Sequence, residues 1–196
     1  EEFVAMVEAI GATLYDAVDR CMTCEPDYLV MGMSALMFWG GRAPSEKRMQ
    51  DLSEHCGVPV SAGSFACEEA LKLYDAKRIA VISPYFPVSD KNVTQFFEDC
   101  GFEVRKFRGL KCGSPVAIAH VQPEDLRAHV LEMNDDSIDA FVQVGTNLSM
   151  IDLCNEMSIE IGKPMIPINA ATYWHALRAM GIKDKFDGHG PLFRDH

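Results

Sequence analysis

Asp139-Ala-Phe-Val-Gln-Val-Gly145-Thr-Asn147 sets a β-branched and aromatic run directly before a glycine, which a hydroxyl and an amide residue follow. A run of that composition suits a strand buried on both faces of a parallel sheet, and ligands of open α/β sheets bind at the carboxyl ends of such strands. The pattern occurs twice. An earlier copy reads Asp27-Tyr-Leu-Val-Met-Gly32-Met-Ser34, followed by a helical stretch, then Gly57-Val-Pro59-Val-Ser-Ala-Gly-Ser64 and Glu68-Glu-Ala-Leu71. The later copy continues in the same order through Gly162-Lys-Pro164-Met-Ile-Pro-Ile-Asn169 to Trp174-His-Ala-Leu177. An internal repeat of this kind predicts two matching half-sites, carried by two lobes that face one cleft.

On either side of these copies, strand-like and helical stretches alternate. Strands are expected at 28–33, 58–62, 78–83, 103–107, 139–144 and 165–168, and helices at 44–56, 65–73, 90–100, 123–133, 149–161 and 171–180. That order predicts an α/β fold with parallel strands and right-handed crossovers. Residues 1–20 place Phe3, Val7, Ile10, Leu14 and Val18 on one helical stripe with no capping residue ahead of it. A parallel sheet normally opens with a strand, so an N-terminal strand is expected ahead of residue 1.

The formal net charge of -11 would repel phosphate backbones and anionic lipid surfaces, and no dense Lys/Arg run offsets it. Nucleic acid and membrane surfaces are therefore excluded as partners. Apolar runs such as 28–33 are too short to span a bilayer and the start does not resemble a signal peptide, so the chain reads as cytoplasmic. Seven cysteines, an odd number, argue against a disulfide framework. Cys21-Met-Thr-Cys24 has zinc-like spacing, but no second pair or nearby His motif completes four ligands, and no metal is expected. A nucleotide site is disfavoured too, because no Gly-x-Gly-x-x-Gly follows a strand and no P-loop occurs.

Three stretches carry a family resemblance. Met31-Gly-Met-Ser-Ala-Leu-Met-Phe-Trp-Gly40 resembles the first active-site loop of arylmalonate decarboxylase, where a Gly-Thr-Ser run follows a buried strand. The run from Asp139 to Leu148, continuing through Gly162-Lys-Pro164 to Tyr173-Trp-His-Ala-Leu177, resembles the second loop and its helix. Lys77-Arg-Ile-Ala-Val-Ile-Ser-Pro-Tyr85, with Asn92 after it, resembles the strand that ends in a substrate-facing tyrosine. Across residues 27–181 the chain is similar to the aspartate/glutamate racemase superfamily, on the branch of arylmalonate decarboxylase and maleate cis-trans isomerase.

The resemblance implies two Rossmann-like lobes with parallel sheets related by a pseudo-two-fold axis, expected at 1–73 plus 172–196 and at 74–171. It implies no metal or organic cofactor, a small carboxylate or dicarboxylate substrate, and a homo-oligomeric habit. The racemases use two thiols that flank the substrate carbon, maleate isomerase keeps both, and arylmalonate decarboxylase keeps only the second. Here the two positions fall on Gly32 and Gly145. Neither glycine can ionise, so two-thiol racemisation and thiol-addition isomerisation lose their nucleophile, and a decarboxylase-type lyase is favoured. A carboxylate-binding or partner-binding relative without turnover is the alternative.

Decarboxylation needs hydrogen-bond donors around a developing oxyanion. The candidate binding residues are Gly32, Met33 and Ser34 on the first loop, Gly145, Thr146 and Asn147 on the second, and Tyr85 and Asn92 between. Tyr85 and Ser34 are the catalytic candidates, with Tyr85 or a bound water as proton donor. Ser34, Thr146 and Asn147 also suit helix caps, and a helix after each loop would aim free amides at a carboxylate. Phe38 and Trp39 suit a packing anchor or a pocket wall. His175 reads as a packing or solvent-facing residue, His189 as part of a terminal Gly-His-Gly-Pro loop, and Cys67 and Cys154 as core thiols.

Overall fold

A computed structural model describes residues 2–196, with side chains described from Val4 onward. In chain order the elements are α1 (Glu2–Ala12), α2 (Leu14–Met22), β1 (Leu29–Met31), α3 (Ser34–Phe38), α4 (Arg42–Cys56), β2 (Val60–Ala62), α5 (Gly63–Leu73), β3 (Arg78–Ser83) and α6 (Pro87–Asp99). They continue with β4 (Glu103–Gly109), α7 (Pro115–Ala119), α8 (Pro123–Met133), β5 (Ala140–Gln143), α9 (Ile151–Ile161), β6 (Met165–Pro167), α10 (Ile168–Ala179) and α11 (Pro191–Asp195).

The strands form two parallel sheets, one of β1 and β2 and one in the order β4-β3-β5-β6. The chain is thus the parallel α/β protein that the alternation of elements predicts. Alternate residues of β3 and β5 divide between two apolar clusters, as a period of two requires. Ile79, Val81, Ala140 and Val142 join the cluster that also holds Phe38, Phe96, Tyr85, Ile168 and Trp174. Ala80, Ile82 and Phe141 join the other, with Leu126, Val130, Leu153 and Met157 of α8 and α9. Each fully buried Phe or Leu in these layers contributes roughly 1.5–3 kcal/mol.

The first cluster also binds the two sheets together, since α5 packs along α10. Their close approach depends on Gly63, where an added Cβ would fall 2.5 Å from Ile168 Cγ1 and 2.7 Å from Thr172 Oγ1. At the opposite ends of the strands, Asp139 accepts from the backbone amides of Lys77 and Arg78 and from the Arg78 guanidinium. That cluster of donors holds its carboxyl well below the usual carboxylate range and pins β5 beside β3.

Several elements depart from expectation. The N-terminal stripe is two helices rather than one, broken at Thr13, whose hydroxyl bonds back to the carbonyls of Ala9 and Ile10. Val7 and Val18 are nevertheless buried, with Ile10 and Leu14 packed beside the core. The Phe3 side chain lies outside the described residues. α3 opens the helical stretch after the first turn ahead of the range expected for it, and the short α7 and α11 lie outside every expected helix. β1 stops at Met31, leaving Gly32 and Met33 in a turn.

Candidate functional site

The first turn begins where β1 ends. Gly32 is exposed, with nothing among the described residues within 4 Å of the position a Cβ would take, and Ser34 opens α3, all five of whose residues are buried. Ser34 is not a cap. Met33 occupies the cap position without a side-chain bond, and Ser34 Oγ lies 2.7 Å from Tyr85 Oη. Behind α3, Phe38 packs edge-on to Phe96 and at a tilt to Phe97, so it is a core anchor, while Trp39 is half-buried. Asn92 on α6 uses both ends of its amide. Its Oδ1 accepts from the Gly40 amide at 2.9 Å and its Nδ2 donates to the Val88 carbonyl at 2.8 Å, which ties the turn after α3 to α6.

β3 carries Tyr85 to the same place. The Tyr85 amide donates to Ser83 Oγ at 3.0 Å, and that hydroxyl donates to Asp90 Oδ1 at 2.8 Å, fixing the Ser83-Pro84-Tyr85 bend. Burial pushes the Tyr85 phenol up to about 12, against a smaller opposing effect of the Ser34 bond, so it stays neutral and able to donate at physiological pH. Burial also pushes the Asp90 carboxyl up to about 6, tempered by the Ser83 hydroxyl and the Lys111 charge.

The second turn is built on Gly145, which is buried with φ at +91°. An added Cβ there would collide with Pro84 Cγ, lie 2.6 Å from Pro84 Cδ and sit 3.7 Å from Tyr85 Cζ. Tyr85 therefore stands between the two turns, its hydroxyl on Ser34 and its ring end against Gly145. The carbonyls of this turn are held from within the protein. Gln143 Nε2 donates to the carbonyls of Val144 (2.7 Å) and Gly145 (2.9 Å), and Asn169 Nδ2 donates to that of Thr146 (2.9 Å). The backbone amides of Gly145, Thr146 and Asn147 donate to no acceptor among the described residues. Thr146 is half-buried; Asn147 is exposed, its side chain 3.3 Å from the Pro115 carbonyl.

The structure thus brings Ser34, Tyr85 and Gly145 into contact and leaves Gly32, Thr146 and Asn147 around them with some exposure. It corrects the helix expectation. α3 is too short to carry a useful macrodipole, and α9 starts only at Ile151, so the free donors belong to the turn peptides. Neither histidine joins the group. His175 Nε2 sits 3.4 Å from the Glu69 carboxylate, and His189 lines a cleft of about 580 Å³ beside the second turn with Arg127, Met150, Asp152 and Asn169. Cys67 and Cys154 are fully buried, and burial raises both thiols far above their usual range. Cys112 is the cysteine tied to this region, its amide donating to the Pro84 carbonyl at 2.9 Å. Among the described residues no three His, Cys, Asp or Glu side chains converge as a metal set.

Gln143, Asn169, Ser83 and Asp90 escaped the sequence reading. For Gln143 a signal existed. It is the one polar side chain in an otherwise apolar strand, and a buried polar group must find partners.

A parallel α/β protein with a glycine-built polar site at the carboxyl ends of β1, β3 and β5 falls in the class that holds small ligands at strand ends. A family model described as arylmalonate decarboxylase matches residues 24–193, and the chain belongs to that family. Relatives by sequence include a maleate isomerase of Pseudomonas putida, 28% identical over 184 residues, covering 89% of this chain and 74% of that protein. An arylmalonate decarboxylase of Bordetella bronchiseptica is 26% identical, covering 84% of this chain and 69% of that one. The chain spans only 60% and 54% of the maleate isomerases of Alcaligenes faecalis and Nocardia farcinica. The fold is shared with a solved Nocardia farcinica maleate cis-trans isomerase mutant that carries a covalently bound succinylcysteine intermediate, at a TM-score of 0.92 and 20% identity over 97% of this chain and 80% of that one. A crystal structure of arylmalonate decarboxylase matches at 0.84, with 22% identity over 100% of this chain and 86% of that one. Among the described residues no helix is long and apolar enough to cross a membrane.

Proposed function

We propose that this chain is a cofactor-independent enzyme acting on a small carboxylic or dicarboxylic acid, as a decarboxylase-type lyase rather than a two-thiol racemase. The supporting observation is the buried Ser34–Tyr85 hydroxyl pair, which joins the first turn to a ring lying against Gly145. In this reading Gly32, Met33 and Ser34 receive the acid on one side and Gly145, Thr146 and Asn147 on the other, with Tyr85 between them. Asn92 supports the first turn through Gly40.

Decarboxylation of a malonate-type acid breaks the bond between carbon and one carboxylate. The electron pair enters an enediolate as carbon dioxide leaves, and the enediolate oxygens accept hydrogen bonds from Ser34, Tyr85 and the turn amides. Each well-placed donor contributes about 3 kcal/mol. The carbon then takes a proton from Tyr85 or from a water, and the phenol is reprotonated from solvent. Neither turn carries a thiol, so an adduct like the succinylcysteine of the Nocardia farcinica isomerase has no nucleophile at either place.

A relative that binds a carboxylate without turnover is the second reading, and the two glycine turns favour it. Carbon dioxide release and deuterium exchange at carbon, measured over a panel containing malonate, phenylmalonate and maleate, separate the two. Release with at least one malonate is expected, while tight binding without release selects the second reading. Tyr85→Phe combined with Ser34→Ala should abolish binding, and unchanged affinity would count against both. Cys112→Ser should leave release unaltered; its loss would move the proton donor to that thiol.

A further inference from the structure

Three consecutive carbonyls of the second turn, those of Val144, Gly145 and Thr146, accept from the side-chain amides of Gln143 and Asn169. A trans peptide points its N–H opposite its C=O, and no cis bond occurs among the described residues. Each held carbonyl therefore aims the next amide, of Gly145, Thr146 or Asn147, the other way. Along β5, Val142 faces the cluster that contains Tyr85, and Phe141 faces the cluster of α8 and α9. Alternation puts the Gln143 side chain on the Phe141 side. The amides consequently turn toward the side that holds Tyr85.

Among the described residues the first turn has no such arrangement. The repeat sets Val30 where the second copy has Gln143, and Ser64 where it has Asn169. Val30 has no donor to offer, and Ser64 Oγ is buried without a partner among the described residues. Gln143 is itself only 2% exposed, and both hydrogens of its amide nitrogen are committed to the turn.

We infer that Gln143 and Asn169 are positioning residues that aim the amides of residues 145–147 at an anionic ligand, making the second turn the preorganised anion-holding half of the site. The first turn then supplies hydroxyl groups and open space. This inference rests on the carboxylate-binding reading above.

The test uses the whole chain labelled with ¹⁵N and titrated with phenylmalonate. In the unmodified protein the Thr146 and Asn147 amide protons should move downfield as the carboxylate binds. Gln143→Leu and Asn169→Ala should each weaken phenylmalonate binding about tenfold, as loss of donor alignment does, and should shrink that downfield movement. Should Gln143→Leu fail to fold, Asn169→Ala at the start of α10 carries the same measurement. Folded variants with unaltered affinity and unaltered amide shifts overturn the inference. If the unmodified protein binds no diacid, the proposed function is what fails. The positioning role is then judged from ligand-free order parameters at 145–147, where a drop in the variants supports it and no change refutes it.

Discussion

Replacing Gly145 by cysteine, the change that would give the second turn a thiol, should be strongly destabilising, whereas Gly32→Cys should not. At Gly145 two costs add. Its φ of +91° lies where side chains are rarely accommodated, a penalty of about 1–3 kcal/mol. The new Cβ would also drive into the Pro84 ring, which cannot swing aside like the end of a flexible side chain, and overpacking of this kind costs about 1–3 kcal/mol more. The sum, roughly 2–6 kcal/mol, is a large share of the roughly 5–15 kcal/mol that holds a typical domain folded. Gly32 is exposed with open space around it, so its cysteine variant should stay within about 0.5 kcal/mol of the parent. Urea unfolding of the three proteins gives both numbers. A Gly145→Cys variant less than about 1 kcal/mol below the parent would refute the claim that this turn is built around glycine.

Tyr85→Phe strands the buried Ser34 hydroxyl and should cost about 1–2 kcal/mol, while adding Ser34→Ala should cost less than the sum of the single changes. A denaturation double-mutant cycle with no coupling contradicts this. Asp90 has a folded-state carboxyl raised from 3.8 to about 6, so between those values the native chain keeps a proton that the unfolded chain has lost. Its contribution therefore falls as pH rises through that window, by at most about 3 kcal/mol and nearer 1–2 kcal/mol with partial solvent access. Asp90→Asn should accordingly be more stable than the parent near pH 7 and match it below about pH 4, and a pH-independent difference would be evidence against it. Asp139 behaves oppositely, because Arg78 depresses its carboxyl. Asp139→Asn should lose on the order of 1 kcal/mol near pH 7, and the deficit should vanish as the solution is acidified.

The larger sheet was legible because β5 and β6 are buried throughout and β3 from Ile79 onward, in apolar runs too short for a helix and bounded by turn residues. Their ends were less so. Gly32 and Gly145 both follow apolar strands, yet only the backbone reveals that one is open and the other pressed against Pro84. Ser34 and Tyr85 stood out as donors, but their mutual bond joins residues 51 positions apart, which no local pattern carries. Gln143 and Asn169 act on carbonyls rather than on a ligand, so motif spacing gives no hint of them. The short α7 and α11 each open on a proline in turn-rich sequence, where periodicity has too few residues to register.

A crystal structure with phenylmalonate bound tests most directly whether the two turns form one acid-binding site. One carboxylate should lie within hydrogen-bond distance of the Thr146 or Asn147 amide, and the same molecule should reach the Ser34 or Tyr85 hydroxyl. Phenylmalonate seated instead in the cleft lined by Arg127, Asp152 and His189, or touching only one turn, would contradict that design.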